Sequence, residues 1–231
     1  PQSKPQPEPP STAEPARELP TGAIPMSEAD LPPPGSPAAR WMRAHFAETV
    51  TIRNAVVSGK LERAVKPADE LAEMVGVADL PRAWQVSGAQ LRSAAERIRG
   101  AESVQDAAAA VADIGRACGH CHLVSGRGPR ITSGAPPSAE ASLTGRMRRH
   151  RWGAERLWEG IYGPSDAAWA AGASALEQGP FAGVDLEPGG VHARAAATDF
   201  ARFSAELKQA RTGEQRGEAY ATLLTTCAPC H

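Results

Sequence analysis

The chain has 231 residues, 25 basic and 26 acidic side chains, and a formal net charge of −1, a balance that points away from nucleic acid and from any strongly charged partner. Aromatic residues make up only 5%, so a large apolar prosthetic group would have to stand in for part of an ordinary aromatic core. No apolar run reaches the length needed to cross a membrane, about 18 residues or more.

Residues 1–37 hold twelve prolines and no apolar periodicity, which predicts an extended arm. Such an arm is either a tether to a membrane anchor or a larger complex, or simply a disordered terminus. From 38 onward alanine, leucine, arginine and glutamate dominate and no strand-like alternation persists, so the pattern predicts helices. The first set is expected at 38–58, 61–76, 83–100 and 103–121, with breaks at Ser58-Gly59, near Gly76 to Pro81, and at Gly100. Leu91 and Ile98, a heptad apart, and Val111, Ile114 and Cys118, on one face, are predicted core. Residues 123–139, rich in Gly, Ser and Pro, read as a linker. A second set is expected at 140–162, 165–178, 190–211 and 213–229, with Phe200, Phe203 and Leu207 as a buried stripe.

The two sets repeat. Met42-Arg43-Ala44-His45 is echoed by Met147-Arg148-Arg149-His150, and Cys118-Gly119-His120-Cys121-His122 by Cys227-Ala228-Pro229-Cys230-His231. A repeat of this length is duplication of a whole domain rather than a solenoid. The expected fold class is therefore all-α, with two tandem four-helix bundles over 38–122 and 140–231.

Cys-X-X-Cys-His is the attachment signature of c-type haem. On a helix, residues three and four apart share a face, so Cys118, Cys121 and His122 converge, as do Cys227, Cys230 and His231. The thiols meet the porphyrin vinyls and the imidazole becomes the proximal iron ligand. A random chain with these cysteine and histidine counts would show the motif roughly 0.002 times, and two copies use every cysteine present. Two covalently attached haem c groups are the leading expectation. The rivals are one zinc held by all four thiolates, which leaves both trailing histidines unexplained, and thioredoxin-like redox use, which lacks the strand-then-helix context.

Of the remaining histidines, His120 is expected to face solvent and His192 has no counterpart in the other half. His45 and His150 are the matched pair, and they are expected to supply the sixth iron ligand from the first helix of each half. Met42 and Met147, three residues away on the same face, are the alternative distal ligands, and an open site is the third option. Arg127, Arg130, Arg146, Arg148, Arg149, Arg151 and Arg156 could pair with propionates or an acidic partner, or form a solvated face interleaved with Glu155 and Glu159. Trp152, Trp158 and Trp169 are expected to pack haem or interhelical space. Nothing resembles a nucleophile triad, a phosphate loop or a carboxylate pair, so an enzyme is not expected.

With Cys-X-X-Cys-His closing a fourth helix in each half, the chain resembles the class II cytochromes c, the cytochrome c-prime and cytochrome c556 group, each half matching one unit. In that family the sixth ligand, where there is one, comes from the first helix, which corresponds here to His45 and His150 or to Met42 and Met147. The resemblance implies electron transfer outside the cytoplasm, in the periplasm or an equivalent compartment, between redox proteins that include a membrane-bound complex. For members with an open site it implies binding of nitric oxide or carbon monoxide. The same two motifs would also suit a haem-bearing subunit of a respiratory or photosynthetic assembly, or a dihaem peroxidase. A chain starting at Pro1 rather than Met fits an exported protein whose leader has been removed.

Overall fold

A computed structural model describes residues 36–76, 80–126, 128–132, 134–138, 142–177 and 203–229. Five helices start on a Ser or Thr hydroxyl that accepts a backbone N–H of the first turn, a cap worth about 1 kcal/mol each. Ser36 caps α1 (Pro37–Val57), Ser103 caps α4 (Val104–Ser125), Ser142 caps α5 (Leu143–Tyr162) and Ser165 caps α6 (Asp166–Leu176). Thr212 and Gln215 form a reciprocal capping box at the start of α8 (Gly213–Cys227). Between these run α2 (Glu62–Met74), α3 (Arg82–Arg99) and α7, helical over 203–209. Among the described residues there is no strand, and the chain is all-α.

The helix ends follow the glycines. Gly59, with φ 64°, closes α1 in a left-handed turn in which Gly59 and Lys60 donate to Val56 and Ala55. Gly126, with φ 63°, does the same for α4. That cap lies beyond His122, so the first residues of the predicted linker, 123–125, are the last turn of α4, and Val124 and Ser125 are buried in it. The arm up to residue 35, most of the predicted 190–211 helix, and Phe200 lie outside the described residues.

In the first set α1 packs on α2, α2 on α3, α3 on α4 and α4 back on α1, the closed ring of an up-down bundle. In the second set α5 packs on α6 and α8, and the Trp169 indole N–H donates to the Leu207 carbonyl at 2.8 Å, tying α6 to α7. The sets do not stand apart. α4 packs on both α5 and α8, and one hydrophobic cluster runs from Ile52, Leu71, Val111 and Ile114 through Leu157, Trp158 and Leu176 to Leu207, Tyr220 and Leu223.

Two glycines one turn apart on α4 permit this seam. A Cβ at Gly115 would lie 2.5 Å from the Trp158 ring, and one at Gly119 would overlap the Ile161 carbonyl oxygen. Trp158 fills the space so released. It is 2% exposed, stacks on Tyr220 at 5.4 Å and lies 5.6 Å from the Tyr162 ring. Because this side chain belongs to the core of both sets, Trp158→Ala is expected to cost about 3–5 kcal/mol and to lower a single unfolding transition shared by the whole chain. Chemical denaturation followed by circular dichroism checks this; two separate transitions, only one of them shifted, would contradict it.

Candidate functional site

The packing contacts give the helix directions. Gly115 faces Trp158, Gly119 faces Ile161, and His122 reaches Tyr162, so α4 and α5 run side by side in the same sense. α1 runs against them, because the Phe46 ring lies 4.9 Å from that of Tyr162 while the Arg53 guanidinium sits 6.0 Å over Trp158. His45, next to Phe46, therefore lies at the end of the first helix set where α4 carries Cys118, Cys121 and His122.

His45 is 4% exposed, and neither ring nitrogen has a hydrogen-bond partner. The Trp41 ring lies 3.5 Å away, and the indole N–H donates to the Met74 carbonyl at 3.0 Å. Burial pushes the His45 pKa down to about 4, and the Met74 carbonyl near its ring opposes the shift without meeting hydrogen-bond geometry. A buried imidazole with both nitrogens unmatched is costly, and an incoming ligand at one nitrogen would relieve that cost. Met42, one turn earlier, is half-buried.

His122 has one ring nitrogen assigned by its neighbour. Nδ1 lies 2.6 Å from the Tyr162 carbonyl oxygen, forty residues away in sequence. A carbonyl can only accept, so Nδ1 carries the proton and Nε2 keeps its lone pair. Metal-bound histidines are held in this tautomer by a hydrogen bond on the other nitrogen. Burial lowers the His122 pKa and favours the neutral ring.

Cys118 and Cys121 are half-buried and form no disulfide. Burial pushes their pKa up to about 12 and about 11 respectively, so both are thiols. They sit in the last turns of α4, whereas an activated redox pair sits at a helix N-terminus with a lowered pKa. This counts against thioredoxin-like use. The His120 ring does not face solvent as expected: it is half-buried, and Nδ1 is 2.8 Å from the Ser87 hydroxyl of α3.

The described part of the second motif, 227–229, lies toward the other end of the molecule. In α8, Gly217 lies against the Arg116 side chain, and Ala228, just past the helix end, lies beside Gly59 in the turn between α1 and α2. The ten residues from Gly217 to Cys227 rise roughly 15 Å along the axis, opposite to the direction of α4. Thiolates around one zinc lie within about 4 Å of each other, so a single four-cysteine site does not fit. Cys227 is buried, with its thiol 3.4 Å from the Leu223 carbonyl, while Cys230 and His231 lie outside the described residues. His150 precedes Trp158 by roughly 12 Å of helix, and Cys227 follows Tyr220, stacked on Trp158, by roughly 10 Å in the antiparallel α8. His150 and Cys227 thus come to one level, with His150 and Met147 both half-buried.

The other singled-out residues are structural. Trp158 and Trp169 are core. Arg151 pairs with Glu155 on the exposed face, whereas Arg156 pairs with Glu159 and Arg149 donates to the Pro137 carbonyl in half-buried positions. Arg127 and His192 lie outside the described residues. A cleft of about 880 Å³ between the sets is bordered by His120 and by Arg97, Arg116 and Arg216, but by neither cysteine of the first motif nor His122 or His45.

Among the described residues, no three His, Cys, Asp or Glu side chains converge as a metal-binding group, and no helix is long and apolar enough to cross a membrane. Haem iron draws four ligands from the porphyrin and needs only two from protein, so the donor sets fit it: two thiols, one imidazole with a free Nε2, and a second buried imidazole at the same end. No family model, no curated protein and no solved structure matches the chain significantly.

The lowered His45 pKa has a pH consequence for the haem-free chain. The unfolded ring takes up its proton near pH 6.5 and the folded one only near pH 4. The unfolded state therefore binds more protons across that window, and stability is complete above pH 6.5 and lost as pH falls toward 4, by roughly 3 kcal/mol. Urea titrations at pH 7 and pH 4.5 should show this loss, and His45→Phe should reduce it. An undiminished loss in the variant would assign the effect to other groups.

Proposed function

We propose that this chain is a dihaem c-type cytochrome of the class II kind, two haem-bearing four-helix units fused through one core, which passes electrons between redox proteins outside the cytoplasm. The observation that carries the reading is His45, a buried histidine with neither nitrogen hydrogen-bonded, at the end of the helix set where Cys118, Cys121 and His122 close α4. The matched placement of His150 with Cys227 supports the same arrangement in the second half.

Each residue has its own part. Cys118 and Cys121 offer reduced thiols on one face of α4, ready to form thioethers, and Cys227 with Cys230 is the second pair. His122, with its proton fixed on Nδ1, presents Nε2 as the proximal ligand, and His231 takes that part in the second unit. His45 and His150 supply distal imidazoles, with Met42 and Met147 as the neighbouring thioethers. When bound, haem supplies reversible one-electron chemistry at iron. The shared core excludes water and holds the two sites at a fixed separation. Partners would dock at the ends of the helix sets, and the proline-rich arm would tether the chain to a membrane-bound complex.

The test is the pigment of exported protein. The pyridine haemochrome spectrum should report two haems per chain, both retained through acidified acetone. Cys118→Ala with Cys121→Ala should remove one, and Cys227→Ala with Cys230→Ala the other. Two low-spin ferric signals are expected, with His45→Met and His150→Met each altering one. Colourless protein, or pigment extracted by acid, would end the proposal, and high-spin iron in the unmodified chain would turn it toward gas binding.

A further inference from the structure

His122 belongs to the first helix set, yet the group that holds its ring belongs to the second. The acceptor is the carbonyl of Tyr162, the last residue of α5, at 2.6 Å. Carbonyls in the final turn of a helix have no intrahelical donor, and they form the negative end of the helix dipole. This one is therefore free to bond and is a strong acceptor. The contact depends on Gly119, the residue after the first motif cysteine, because any side chain there would overlap the Ile161 carbonyl next to it. The segment after α4 straps the joint, with Gly128 packed on the His122 side chain and Ile131 on Gly163.

We propose that the second half of the chain sets the reduction potential of the first haem, by gripping His122 through the Tyr162 carbonyl across the Gly119 seam. The inference rests on the haem reading of Cys118, Cys121 and His122. A proximal imidazole that donates Nδ1–H to a carbonyl is a more basic ligand and favours ferric over ferrous iron, so the bond lowers the potential. Such outer partners change metal binding about 10–100-fold, which corresponds to about 60–120 mV for a one-electron couple if the whole factor falls on the ferric state. Tyr162 is a positioning residue that acts through its backbone, and the phenol ring is not involved. The two haems are then unequal by construction, because the first is tuned by its neighbour's opening helix.

Spectroelectrochemical titration of the full-length, exported protein tests this. Gly119→Ala should push the end of α5 away and raise the potential of the first centre by up to about 60–120 mV, leaving the second in place. Gly172→Ala is the control, also packed against backbone, of Gly153 and Leu157, but remote from His122, and should leave the first potential unchanged. Nitrogen-15 spectra of the haem-free chain give a readout without haem: the wild-type His122 ring should carry its proton on Nδ1 in a strong hydrogen bond, and Gly119→Ala should release it. A proton on Nε2 in the wild type would overturn the proposal, even if the variant does not fold. So would a first potential unmoved in a folded Gly119→Ala whose hydrogen bond is lost. Failure of any haem to attach at Cys118 and Cys121 would remove the functional reading and this proposal together, whereas unchanged potentials in pigmented protein would remove the proposal alone.

Discussion

The approach of α4 to α5 at Gly115 and Gly119 is the contact on which the rest of the structure depends. With side chains at those positions the helices could not come close enough for Trp158 to enter both cores. Because they do, the alanine-rich interior of the first helix set joins the larger Trp, Leu and Tyr side chains of the second in one core. Small domains bury too little surface to be stable alone. Joining them across the glycine seam removes that weakness, and it gives up independence: the two helix sets are locked in one orientation.

The same seam decides the chemistry at the first motif. Cys118 and Cys121 are held as half-buried thiols at the C-terminal end of a helix, far from the environment that makes cysteine pairs redox-active. His122 is turned toward α5 and loses one nitrogen to the Tyr162 carbonyl. His45 is kept dry and unmatched across the bundle. Packing alone would not need the costly placement of His45, whose two ring nitrogens both lack a partner. The opposed direction of α8 places Ala228, just after Cys227, beside Gly59, toward the end of the molecule away from Cys118 and Cys121.

Much of this is legible in the chain itself. Helix positions follow from alanine-rich periodicity broken at Ser58-Gly59 and Gly100, and the two Cys-X-X-Cys-His motifs with their matched Met-Arg-X-His partners locate the candidate ligands. The reach of α4 to Ser125 is not legible, since Gly126 could equally end the helix or belong to a loop until its left-handed conformation is known. His120 is misplaced by sequence reasoning because the Ser87 hydroxyl that engages it lies on another helix. The grip on His122 has no side-chain signature at all, because a backbone carbonyl looks the same at every residue. The spacing of Gly115 and Gly119 is the one available hint of a close helix contact. That α8 packs back on α4, instead of completing a detached bundle, depends on long-range packing that no local pattern records.

If one rigid body carries two iron sites at its opposite ends, the electron–electron dipolar distance between the two centres in the oxidised, exported protein measures it most directly. One narrow distribution centred beyond about 15 Å, the axial rise from Gly217, level with Arg116, to Cys227, is the predicted result. A broad distribution would contradict the fused core, and the absence of a second paramagnetic centre would contradict the assignment of haem to both motifs.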